Sequence, residues 1–168
     1  LRTWGVSVGN AEIGRAALGM GAKVLQFAFN ALHTSELDAL GAEATSRGVG
    51  LLARSVLAHG LLCGLWPRSK RFGPGDHRAE RWSAEELERR IQQLDALRPA
   101  VGTGADSLRA VALRFVLEHE ALSGVVVGPR TPLQLDQLVR EAGKGPPYLS
   151  AETMRELEGR LRAVGARE

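Results

Sequence analysis

The chain has 168 residues, 44% of them hydrophobic and 24% charged, with a formal net charge of +3. That size and balance give one domain with a sizeable core and argue against disorder. Its single cysteine, Cys63, excludes an internal disulfide framework and suits a reducing, cytoplasmic setting.

The apolar run Thr3 to Val8 suits a strand, and Gly9-Asn10 follows as a turn in which Asn10 caps the helix "AEIGRAALGMG". "VLQFAFN", Val24 to Asn30, is the second strand. Leu25, Phe27 and Phe29 alternate there with Val24, Gln26 and Ala28, which fits a strand with two buried faces. Ser35 is placed to cap "ELDALGAEATSRG", with Gly48 at its end. Val49 to Ser55 forms the third strand. The stretch 56–82, with Pro67, Gly73, Pro74 and Gly75, is expected to be a long lid-like loop.

Two helices follow, Ser83 to about Leu97 and Asp106 to about Glu118. "GVVVG", Gly124 to Gly128, is the fourth strand. Thr131 caps "PLQLDQLVREAG" with Pro132 at its first position, and Ser150 opens a last helix. Strands alternating with helices predict an α/β fold with a parallel sheet. About four βα units plus a C-terminal helix suit half of a (β/α)8 TIM barrel, which typically needs about 250 residues, with an open doubly wound sheet as the competing fold. A chain that starts at Leu1 already inside a strand is expected to be part of a longer product.

No apolar run of about 18 residues predicts a membrane span. The basic run Arg68-Ser69-Lys70-Arg71 lacks interleaved aromatics, so a mobile loop meeting an anionic small molecule is favoured over nucleic acid. The four histidines are scattered without metal-ligand spacing, so no metal site is expected. His33 and His59 lie just beyond strand ends, within reach of a ligand. Neither a G-x-G-x-x-G fingerprint nor a P-loop occurs. The residues where strands give way to helices are polar or small and poor in acid-base groups, a set suited to binding a ligand more than to moving protons. At the corner "GPRTPLQL", backbone N–H groups near Arg130 and its guanidinium can hold a phosphate; an ordinary strand-helix corner with a solvated arginine fits the same spacing.

Several segments resemble the C-terminal half of the aldo-keto reductases, bacterial branch. "LRTWGVSVGN" is similar to I-R-x-x-G-V-S-N, "VLQFAFN" to V-x-Q-x-x-Y-N, and "GVGLLARSVLAHGLLCG" to G-I-G-V-I-A-Y-S-P-L-A-x-G-L-L-T-G. "RFGPGDHR" resembles a loop of that branch, and "SLRAVALRFVLEHEALSGVVVGPRTPLQLDQL" resembles the segment ending V-I-P-G-A-R-T-P-E-Q-L-x-E-N. The five occur in the family's order from Leu1 to about Ala163.

The resemblance implies a barrel that binds NADP(H) and reduces aldehydes or ketones by hydride transfer, with residues 1–168 as its cofactor-binding half. It implies that Ser7 and Gln26 hold the nicotinamide carboxamide, with Asn10 standing in for the asparagine that Val8 replaces. It puts Phe29 against the nicotinamide ring, Ser55, Leu57 and Gly60 over the pyrophosphate, and Gly128, Arg130 and Gln134 around the adenosine and its 2′-phosphate. Arg54 and Val56 depart from Y-S-P-L, and Leu138 replaces an asparagine that touches adenine. The family's proton-transfer Asp, Tyr, Lys and His come from earlier strands that no segment here matches, so no catalytic residue is assigned. The alternatives are a non-catalytic nucleotide-binding relative for regulation or assembly, and a half-barrel that self-associates over its open sheet edges.

Overall fold

A computed structural model describes residues 1–166; the final two residues of the expected 1–168 unit lie outside the described residues. Strands β1 (Gly5–Ser7), β2 (Val24–Ala28), β3 (Gly50–Arg54) and β4 (Gly124–Val125) pair in parallel, in chain order. Helices α1 (Ala11–Gly19) and α2 (Ser35–Ser46) connect the first three strands. Helices α3 (Ala84–Gln93) and α4 (Leu108–Leu117) come between β3 and β4, and α5 (Pro132–Ala142) and α6 (Ala151–Ala163) follow. The βα alternation is that of consecutive barrel units.

The core lies between the sheet and its helices. Leu25, Phe27, Leu51 and Ala53 are fully buried on that face, and they belong to one hydrophobic core with Val111, Ala112, Phe115 and Val116 of α4, which are equally buried. Gly14 brings α1 against α2, since a side chain there would collide with Leu40. The opposite face is open: Val24, Gln26, Ala28, Gly50, Leu52 and Arg54 are only half-buried. Val24 to Asn30 therefore has one buried face in this chain, not two. Partners in a parallel ladder point the same way, so Ser7, Gln26, Leu52 and Gly124 form one row across the open face.

Helix starts follow the sequence at Asn10, Ser83, Thr131 and Ser150, each of which accepts a hydrogen bond from the N–H three residues on. The helix expected from Asp106 starts one residue later, where Ser107 is the cap and accepts from Ala110 N–H at 3.0 Å. At α2 the cap position is Thr34, not Ser35, and its hydroxyl donates to Asp38 Oδ2 at 2.8 Å instead of accepting from the backbone. The helix expected to reach Leu97 leaves α geometry after Gln93 and continues as 3-10 turns Leu94–Ala96 and Arg98–Ala100. Pro99 disfavours α geometry in the residue before it. The fourth strand is shorter than Gly124 to Gly128 because its partner leaves: after Val126 N–H donates to Ala53 O at 2.8 Å, β3 ends and the chain turns at Ser55.

Stretch 56–82 is more organised than an irregular loop. A kinked 3-10 segment, Ala58–Cys63, begins it. Farther on, Trp66 meets Phe72 and Trp82 edge-on, with ring centroids 5.1 and 6.2 Å apart. The Arg78 guanidinium lies 4.6 Å from the Phe72 ring centre, and Asp76 grips Arg78 through both carboxylate oxygens.

Candidate functional site: a cleft between two strand ends

At the end of β3 the backbone does something unusual for ordinary residues. Ser55, Ala58 and His59 have φ of 57°, 45° and 57°, and Gly60 follows at 98°. Left-handed geometry costs an L-residue about 1–2 kcal/mol, so the surroundings must hold it. Asn30, 5% exposed, provides one brace: its Nδ2 donates to Ser55 O at 3.1 Å, while its Oδ1 accepts from Leu32 N–H at 2.9 Å. Arg54 gives another, donating from Nη2 to Val8 O at 3.1 Å. In the resulting turn the N–H groups of Val56 and Leu57 have no acceptor among the described residues.

The second wall is the corner from β4 into α5. Thr131 accepts from Gln134 N–H at 3.2 Å, and Gln134 Oε1 accepts from Arg130 N–H at 2.7 Å. This reciprocal pair, one residue displaced from a capping box, fixes the first turn of α5 with Pro132 leading it. The turn carries the positive end of the helix dipole.

Between the two walls lies a cleft of about 500 Å³. Six residues singled out in the sequence line it: Ser55, Leu57, Gly60, Gly128, Arg130 and Gln134. Leu138, 7% exposed, contributes apolar surface. Three guanidiniums border the cleft and differ in their partners. Arg78 is held by Asp76, and Arg109 by Glu141 at 2.5 and 2.7 Å. No carboxylate lies within ion-pairing distance of Arg130 among the described residues. Hydrogen bonds from Arg109 and then Ser107 hold the Glu141 carboxyl below its usual range, despite partial burial. Burial lowers the proton affinity of His59, and Arg81, His77, Arg54 and Arg78 lower it further. Cys63 also borders the cleft, its thiol pushed up chiefly by burial.

A family model described as the aldo/keto reductase family matches residues 1–159. The chain belongs to the aldo/keto reductase family. A glycerol dehydrogenase of Gluconobacter oxydans is similar in structure, with a TM-score of 0.81 at 20% identity, covering 99% of this chain and 51% of that one. An aldo-keto reductase of Bacillus halodurans in its holo form gives 0.70 at 19% identity, covering 95% and 48%. Its apo form gives 0.67 at 21%, covering 95% and 50%. The chain thus spans about half the length of the aldo-keto reductase structures it resembles, and its four βα units are those of a half barrel. No curated protein matched the sequence.

The remaining residues that the family resemblance singles out lie elsewhere. Ser7 and Gln26 pair in register on the open face, outside the lining of the cleft. Asn10 is exposed and its Oδ1 caps α1, so the oxygen is committed to Ile13 N–H at 2.9 Å. Phe29 needs correction. It is fully buried, stacked 6.4 Å from Phe115 and edge-on to His119 at 4.8 Å, and offers no face to a ligand on the open side. Strand alternation puts it with Leu25 and Phe27; Arg54 is the large side chain at the open-face strand end.

The expected basic run also stays out of the cleft. Arg68 reaches Asp95 at 3.6 Å, Lys70 lies 5.2 Å from the Phe72 ring centre, and Arg71 donates to the Lys70 carbonyl. Arg78 takes the place expected of them. Its sequence signal was D-x-R in "GDHR": the Asp76 carboxylate accepts from both the backbone and the guanidinium of Arg78. Arg109 had no local signal, because its partner Glu141 is remote in sequence.

Proposed function

We propose that this chain is the NADP(H)-binding half of an aldo-keto reductase that reduces small aldehydes or ketones. Arg130 carries the reading: a cation without a carboxylate partner at the mouth of a cleft of about 500 Å³, beside a helix N-terminus. The N–H groups of Val56 and Leu57, lacking acceptors across the same cleft, add neutral donors suited to phosphate oxygens. Arg130 takes the 2′-phosphate, Leu138 lies under the adenine, and Ser55, Leu57 and Gly60 border the pyrophosphate. Ser7 and Gln26, aligned on the open face, take the carboxamide. The cofactor supplies hydride to the carbonyl carbon. This chain's residues bind and orient it, and the acid-base groups lie outside the sequence.

Stretch 56–82 serves as the outer lid of the cleft. On its own the chain is expected to be inactive and to self-associate through the open sheet face; sedimentation at micromolar concentration checks this, and a compact monomer counts against it. NADPH titration of the full-length protein, followed by NADPH oxidation with a carbonyl panel, tests the main reading. Binding with turnover supports it, binding without turnover favours a regulatory relative, and no binding overturns it.

A further inference from the structure

Arg54 ends β3 on the open face, in register with Ala28 and on the same side of the sheet as Gln26. Its guanidinium does not stay over its own strand. Nη2 donates to Val8 O at 3.1 Å, just past the end of β1, and β2 lies between those two strands. The side chain therefore spans the end of β2, where the small Ala28 leaves it room. We propose that this cation selects the redox state of the cofactor: beside the nicotinamide, it favours the neutral ring of NADPH over the cationic ring of NADP+. The inference rests on the reductase reading above.

Val8 adjoins Ser7, and Ser7 pairs in register with Gln26. The side chains of Ser7 and Gln26 have no hydrogen-bond partner among the described residues, so both keep capacity for the carboxamide. A carboxamide is bonded directly to its ring, so a nicotinamide held by this pair lies at the strand ends that Arg54 spans. The charge there is not cancelled. Arg54 donates only to neutral oxygens, Val8 O and Ser55 Oγ at 3.5 Å, and no carboxylate is within ion-pairing distance of it among the described residues. Half-burial also limits screening by water. The same charge already disfavours another cation: after burial, Arg81 and His77, Arg54 adds to the lowered proton affinity of His59. Loss of hydride leaves the nicotinamide ring with one positive charge. Like charges this close, away from bulk water, repel strongly enough to change a binding constant about tenfold or more. The phosphates are the same in both redox states, so Arg130 contributes nothing to the difference. The spent cofactor is thus held more loosely than the reduced one, which suits turnover toward carbonyl reduction.

Calorimetric titration of the full-length protein with NADPH and with NADP+ tests this, in the wild type and in Arg54→Lys and Arg54→Gln. The wild type should bind NADPH at least about tenfold more tightly than NADP+. Arg54→Lys keeps the charge without the planar fork and should keep most of that preference. Arg54→Gln should bring the two affinities to within about threefold of each other, chiefly by tightening NADP+. If Arg54 only braces the end of β1, both variants weaken the two forms alike and the ratio stays where it was. Equal affinities in the wild type, an unchanged ratio in Arg54→Gln, or a ratio lost equally in Arg54→Lys overturns the proposal. Each of those outcomes leaves the reductase reading standing, whereas a folded wild type that binds neither form overturns both.

Discussion

The two faces of the sheet are built from alternate residues of the same strands and obey different rules. On the helix side Leu25, Phe27, Leu51 and Ala53 are fully buried, and Phe29 extends that layer against Phe115 and His119. On the open side Ser7, Gln26, Leu52 and Arg54 are half-buried or exposed and include most of the strands' polar groups. The helix face is fixed by close packing; the open face is free to carry recognition. A residue's parity along a strand, more than its chemical type, thus decides which task it can perform.

Phe29→Ala is the sharpest way to break this contrast. Truncating a fully buried aromatic in a close-packed layer should destabilise the full-length protein by about 3–5 kcal/mol, read by chemical denaturation. A small effect on stability together with a specific loss of NADPH binding would return Phe29 to the open face. The Arg109–Glu141 pair between α4 and α5 comes next, with side chains 24% and 20% exposed. Glu141→Gln should cost roughly 1–2 kcal/mol at neutral pH once partial solvent screening is allowed for. Because the folded Glu141 carboxyl is held below its ordinary value of 4.5, its contribution is present above that value and is lost as pH falls through the folded one. Denaturation of wild type and Glu141→Gln should therefore converge in acid; a gap that persists there would mean that packing, not charge, holds the corner. Gln26→Ala, on the open face, should change stability by within about 0.5 kcal/mol while weakening cofactor binding. A large loss of stability would mean that the open face is packed as tightly as the other.

Much of this was legible in the sequence. The strand-helix alternation, the caps at Asn10, Ser83, Thr131 and Ser150, and the six residues lining the cleft all follow from local pattern and motif order. The alternation that put Leu25 and Phe27 inside also covered Phe29, so its position was readable from spacing although the motif suggested another role. Arg109 was not readable, since its meeting with Glu141 depends on how α4 packs on α5. Nor did the density of charge in Arg68, Lys70 and Arg71 reveal direction: the aromatic cluster around Trp66 and Phe72 turns Arg78 toward the cleft, while those three lie outside it.

The central claim is that the corner from β4 into α5 takes the 2′-phosphate of NADP(H), and Arg130 tests it most directly. Titration of the full-length protein and its Arg130→Ala variant with NADPH and with NADH separates the phosphate contact from every other one. The account predicts a loss of about tenfold to a hundredfold for NADPH, a much smaller loss for NADH, and an unchanged melting temperature. Equal losses for the two cofactors, or none for either, would contradict it.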